Sequence, residues 1–228
     1  MRVGLVSDLH EHFPDLNHVN LDGLIIAGDI SFKPYMDVRA EQEMWRTKFI
    51  PWLQKLNISN IYITLGNHDC FPYIQPTQAI QLCERASYKN SINLYQLGHG
   101  KILDKYVGYC PFSLAFCDWV YNAEEKKLWE MFKYLGKCNI IVSHGPPYGY
   151  GDSGDKYNNL GSKALLRYIE DYEPEYVFCG HLHSGRGIYK YNYTTIVNCA
   201  FTNENYNPIN KIFVWDTDCN TILEESII

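Results

Sequence analysis

No stretch of this 228-residue chain is long and apolar enough to cross a bilayer, no CxxC pair occurs, and no repeat, low-complexity tract or linker interrupts it. Each absence removes a class of protein. The opening MRVGLVSDLH has only a few apolar residues before Asp8, too few for the apolar region of a signal peptide, so the expectation is a soluble cytoplasmic protein. The eight cysteines, at 70, 83, 110, 117, 138, 179, 199 and 219, are scattered. Without CxxC spacing or an export signal they are expected to be reduced and mostly buried rather than a disulfide framework. Asn57-Ile-Ser and Asn192-Tyr-Thr match the glycosylation pattern, which matters only in a secreted chain. Positive charge is also short: 20 Lys and Arg against 26 Asp and Glu leave a net charge of -6. No broad basic surface for extended nucleic acid is expected, and any phosphate contact has to be local or assisted by a bound cation.

Apolar residues are not short. At 46% hydrophobic residues the chain can bury a full core, and one domain over residues 1–228 is the expectation. Short β-branched runs at 3–6, 23–27, 61–65, 139–143 and 175–179 read as buried strands. Between them lie helical patterns at 37–56, which Pro51 should kink or split, and at 76–88, 122–135 and 162–172. Further strands fit INLYQL, GIYKY, TTIVN and KIFVWDT. The alternation predicts a layered α/β domain, with the strand-rich end after residue 185 forming a second, more antiparallel sheet. The irregular segment 144–161 carries Tyr148, Tyr150 and Tyr157, suited to stacking on a nucleobase or to covering the core.

Polar residues cluster where the buried strands end. VGLV is followed by Ser7-Asp8-Leu9-His10, GLIIA by Gly28-Asp29, and IYITL by Gly66-Asn67-His68-Asp69. NIIVS runs into His144-Gly145, and EYVFC into Gly180-His181-Leu182-His183. In open α/β sheets ligands sit at the carboxyl ends of the strands, so parallel neighbours would bring these clusters to one site. Anionic oxygen together with neutral imidazole suits divalent first-row ions. Seven donors exceed what one ion with open positions takes, and fit two ions roughly 3.5–4 Å apart. An Asp in such a place also serves as a helix or turn cap, and this holds for Asp8 and Asp69. His12, His18 and His99 stand outside these clusters and read as ordinary core or surface residues.

DLH (8–10), GD (28–29), GNHD (66–69), SHG (143–145) and GHLH (180–183) resemble, in order, the motif blocks of the calcineurin-like metallophosphoesterase superfamily. HGPPYGYGD at 144–152, GHLHSGRG at 180–187 and VNCAFTNENYNPIN at 197–210 are similar to the MPPED-like (UPF0046-type) phosphodiesterase branch. Ser184, Arg186 and Cys199-Ala200 depart from that branch, which usually has an acidic residue, Tyr and Ala-Ser at these places. The resemblance implies two mixed β-sheets packed as a sandwich flanked by helices, a four-layer α/β/β/α fold. It implies one metal held by Asp8, His10, Asp29 and His183 and a second by Asp29, Asn67, His144 and His181, with Asp29 bridging. The ions expected are Mn, Fe, Zn or Ni, with manganese favoured.

The chemistry implied is hydrolysis of a small phosphodiester or cyclic nucleotide by a metal-activated hydroxide, with no membrane and no extended nucleic acid as partner. His68 is implied to face the substrate as acid or charge stabiliser, with Asp69 orienting it. Cys70 is better explained by packing than as a nucleophile. Arg186, three residues beyond His183, is a candidate to grip the phosphate or stack on a base. A phosphomonoesterase would use the same metal core. The protein phosphatase branch resembles GNH(E/D) followed by Arg, where this chain has Cys70. A non-catalytic scaffold would be expected to have lost ligands, and all are present.

Overall fold

The computed structural model describes residues 1–32, 37–154 and 159–227. In chain order the elements are β1 (Arg2–Val6), β2 (Gly23–Ala27), α1 (Val38–Met44), α2 (Ile50–Lys55), β3 (Asn60–Thr64), α3 (Cys70–Ile74), α4 (Pro76–Ala86) and β4 (Ser91–Leu94). They continue with β5 (Gly98–Ile102), β6 (Lys105–Cys110), β7 (Ser113–Leu114), β8 (Asn122–Ala123), α5 (Glu125–Leu135), β9 (Ile140–Ser143) and α6 (Lys163–Tyr172). The last are β10 (Tyr176–Cys179), β11 (Gly187–Tyr191), β12 (Thr194–Asn198), β13 (Lys211–Asp216) and β14 (Thr221–Ser226).

Two six-stranded sheets result, in the orders β14-β13-β1-β2-β3-β4 and β11-β12-β10-β9-β6-β5. In the first, β1 to β4 run parallel and β13 and β14 add antiparallel; in the second, β12, β10, β9 and β6 run parallel between antiparallel edges β11 and β5. Strand alternation explains the layering. Val3, Leu5, Ile25 and Ala27 of the first sheet pack with Ile140, Val142, Tyr176, Phe178 and Val197 of the second to fill the space between the sheets. The intervening residues Val6, Leu24 and Ile26 turn outward to Trp45, Phe49 and Leu53, and Ile141 and Val177 turn to Leu128, Phe132, Leu165 and Ile169. Strands apolar on both faces are what a four-layer α/β/β/α stack requires.

Pro51 divides its helix as expected, and the device is a π-turn over Trp45–Phe49, in which Ile50 N–H donates to Trp45 O one residue further back than in an α-helix. The expectation of a separate sheet after residue 185 needs correction. β11 and β12 complete the second sheet, whereas β13 and β14 complete the first. The chain crosses between the sheets beside Ser7: Ser7 N–H donates to Cys199 O at 3.0 Å and Phe201 N–H to Ser7 O at 2.7 Å. β13 then pairs with β1 because that strand's other neighbour, β2, leaves one edge of its apolar ladder open. All eight cysteines are free, and only Cys117 and Cys219 are exposed.

Candidate metal centre

The strand ends meet at one edge of the sandwich, where the backbone is held in unusual conformations. Asp8, His10, Asp29 and His181 all have positive φ (54°, 43°, 53° and 71°), a region that costs a non-glycine residue about 1 kcal/mol or more. The close approach of loops explains two glycines: a Cβ at Gly66 would strike the Asp29 carboxylate, and one at Gly180 would strike Ser7 and the Asp8 carboxylate. Hydrogen bonds lock the loops together. Asp8 N–H donates to Gly28 O (2.9 Å), Gly180 N–H to His144 O (2.9 Å), and His68 N–H to Asp29 Oδ1 (2.8 Å).

The structure brings six of the seven expected metal ligands into three overlapping groups, each with its ligand atoms within 4.8 Å: Asp8, His10 and His183; His10, Asp29 and His68; Asp29, His144 and His181. Asn67 joins the last through its Oδ1, 3.0 Å from His144 Nε2. Three of the imidazoles have their tautomer fixed from behind, because a carbonyl oxygen only accepts. His10 Nδ1 donates to Ser31 O (3.1 Å), His144 Nδ1 to Ala27 O (2.9 Å) and His183 Nδ1 to Asn203 O (2.8 Å). Their Nε2 lone pairs therefore face inward, where they meet other lone pairs. His10 Nε2 lies 3.3 Å from His183 Nε2, which is 3.4 Å from Asp8 Oδ1. His144 Nε2 lies 3.3 Å from Asp29 Oδ2.

Converging lone pairs repel unless a cation sits among them, so this donor set fits divalent metal on its own chemistry. The proton is the competing occupant. Burial opposes a charge on His144 and His183, yet the Asp29 and Asp8 carboxylates beside them prevail and lift each to about 9. Burial also works against ionised Asp8 and Asp29, but His183 holds the first at about 2 and His144 and His68 hold the second well below the usual range. His10 and His181 are neutral, pushed down to about 4 and about 3 by burial and by neighbouring imidazoles. The clustered His and Asp groups suggest a dinuclear divalent metal site.

Two residues expected to serve the reaction have other partners here. Asp69 does not touch the His68 ring: its Oδ1 accepts Ile30 N–H (3.0 Å) and Ser31 N–H (3.1 Å), and its Oδ2 accepts Gly66 N–H (2.9 Å). It stitches the loop after β3 to the loop after β2, and His68 Nδ1 is anchored instead on Phe32 O (3.3 Å). Arg186 is engaged elsewhere. Its guanidinium pairs with Glu224 (2.8 Å) and lies 4.1 Å over the Phe213 ring, tying the start of β11 to β13 and β14. Of the loop tyrosines, Tyr150 packs on Tyr191 and the outer core, Tyr148 receives Lys163 at 5.2 Å, and Tyr157 lies outside the described residues.

A cavity of about 460 Å³ opens onto the centre, lined by Asp29, Asn67, His68, His181 and His183. Its remaining wall includes residues that sequence reasoning gave no role: Phe116 and Trp119 from the loop joining the parallel strands β7 and β8, with Glu204 and Tyr206 from the crossing before β13. Trp119 stacks on His68 with ring centroids 4.6 Å apart, and Tyr206 stands edge-on to His10 at 4.7 Å. Aromatic residues in loops carry no periodic signal, so only their place in the fold reveals them. Buried Glu41 of α1 was also missed; it accepts Ser31 Oγ–H (2.7 Å) and Phe71 N–H (2.8 Å) behind the same loops.

The chain is similar to known proteins in sequence and in fold. The chain is similar to UPF0046 protein T07D4.2 of Caenorhabditis elegans, 32% identical over 109 residues, a match covering 46% of this chain and 28% of that protein. Human metallophosphoesterase domain-containing protein 1 is 24% identical over 233 residues, covering 92% of this chain and 69% of its own length. Among solved structures, an archaeal phosphodiesterase superposes with a TM-score of 0.54 at 17% identity over 99% of both chains, a likeness of fold. The calcineurin-like phosphoesterase family model matches residues 1–185, the span that delivers every strand-end cluster from Asp8 to His183, and the chain belongs to that family.

Proposed function

We propose that this protein hydrolyses small phosphodiesters at a pair of divalent cations. Asp8, His10, Asp29 and His183 hold one, and Asp29, Asn67, His144 and His181 hold the other. When bound, two such cations neutralise phosphate charge and acidify water for in-line attack. The observation that carries the reading is the inward convergence of Nε2 and carboxylate lone pairs beside an open cavity. Asp29 Oδ2 lies 3.3 Å from His144 Nε2 and 4.0 Å from His10 Nε2, which suits it to bridge.

His68 is the residue of this chain that handles a proton. Its Nδ1 is held on Phe32 O, its ring is clamped by Trp119, and its Nε2 stands 3.9 Å from Asp29 Oδ2 at the cavity floor. With Nδ1–H committed to Phe32 O, Nε2 carries a proton only in the imidazolium form, and it is that form that donates to the departing ester oxygen. The preference for a diester rests on the lining: Leu114, Phe116, Trp119, Leu160, Leu182 and Tyr206 offer apolar and aromatic surface to a second ester substituent. A monoester has no such group to bury.

The test is hydrolysis of bis(p-nitrophenyl) phosphate beside p-nitrophenyl phosphate, on metal-stripped protein with manganese restored. Metal-dependent cleavage favouring the diester is expected. A clear preference for the monoester, or no turnover of either with two ions bound per chain, overturns the reading.

A further inference from the structure

Glu204 stands in the cavity wall next to the candidate phosphate-binding end of the site. Its Oε1 accepts Ser184 N–H at 2.8 Å, at the residue following His183, so the carboxylate is fixed in place. The same wall includes the apolar and aromatic side chains of Leu114, Phe116, Trp119, Leu160 and Tyr206, and among the described residues no Lys or Arg lines the cavity. Arg186, three residues beyond His183, is taken up by Glu224 and Phe213.

We infer that Glu204 determines specificity: it excludes phosphodiesters whose retained arm bears a further anionic group, and admits arms that are uncharged. The inference rests on the diesterase reading above and narrows its substrate class. A second phosphate on the arm, beyond the one held at the metal end, would lose water beside aromatic side chains and face a fixed like charge, with no Lys or Arg among the described lining residues to offset either cost. A flat uncharged arm meets neither penalty and gains contact with Phe116, Trp119 and Tyr206.

The pair of substrates that isolates this effect is thymidine 5′-(p-nitrophenyl phosphate) with and without a 3′-phosphate, which share scissile bond and leaving group. With manganese-loaded protein, kcat/KM is expected to fall by about tenfold or more when the 3′-phosphate is added, mainly through KM. In Glu204→Gln, whose amide oxygen still accepts Ser184 N–H, the penalty is expected to shrink to about threefold or less. Calorimetric binding of thymidine 3′,5′-bisphosphate against thymidine 5′-monophosphate should show the same change of ratio. Equal use of both substrates by the unaltered protein, or a ratio that Glu204→Gln leaves unmoved, overturns the role of Glu204 and leaves the diesterase reading standing. Cleavage of neither substrate with two ions bound overturns both.

Discussion

Replacing Glu41 by Gln should make the metal-free protein more stable above neutral pH and change little in acid. Glu41 is 6% exposed, and its carboxyl lies between Ser31 Oγ and Phe71 N–H with no cationic side chain paired to it among the described residues. Burial, reinforced by the charge on Asp69, pushes its pKa from 4.5 up to about 8. Between those values the folded protein keeps a proton that the unfolded chain has released, so the stability contributed by the protonated carboxyl is full below 4.5 and is lost as pH rises to about 8. At about 1.36 kcal/mol per pH unit the loss is on the order of 5 kcal/mol. Gln reproduces the protonated form, its amide N–H donating to Ser31 Oγ and its oxygen accepting Phe71 N–H, and it does not titrate. Urea unfolding in chelator at about pH 5 and about pH 8.5 measures the difference. The gap in favour of the variant should widen by at least ~2 kcal/mol towards the higher pH, since only the wild type carries this titration. Stability curves that run parallel would mean that Glu41 is ionised in the fold, and would refute the reasoning.

On the roles proposed above, His68→Ala should lower kcat by about 10²–10⁴ while elemental analysis still finds the metals, since the proposed proton donor is distinct from the proposed ligands. Asp29→Asn should reduce bound metal from about two ions per chain to one or none, if its carboxylate bridges the two positions as proposed. Arg186→Ala should cost about 1–2 kcal/mol of unfolding free energy, from the half-exposed Glu224 pair and the contact with Phe213, with kcat/KM for bis(p-nitrophenyl) phosphate unchanged.

The strand-end clusters were legible because a buried strand rarely needs Asp, His and Asn immediately after its last apolar residue, and five such coincidences have few structural explanations. β1, β2, β3, β9 and β10 were legible for a related reason: being covered on both faces, they carry apolar residues on both, with polar ones only at their ends. β5, GHGKI, carries no such signal, since an edge strand buries only part of one face and Gly and Lys are admitted there. The assignment of β13 to the first sheet was hidden for another cause, as its partner β1 stands some two hundred residues earlier.

The harder lesson is direction. Asp69 follows His68 directly, and adjacency made it a natural partner for that ring, yet the turn after Gly66 sends its carboxylate to the backbone of Ile30 and Ser31. Glu41 sits in AEQEMW, one acid among several polar residues of a helix, and only packing distinguishes it from its solvated neighbours. Ligand identity is written locally because metal chemistry restricts which atoms serve. What holds those ligands, and what the cavity admits, depends on loops meeting from distant parts of the chain, where Trp119, Glu204 and Tyr206 gain meaning only beside His68 and His183. Two chains with the same five motifs therefore share a reaction centre without sharing a substrate, and specificity has to be sought in the segments between the motifs.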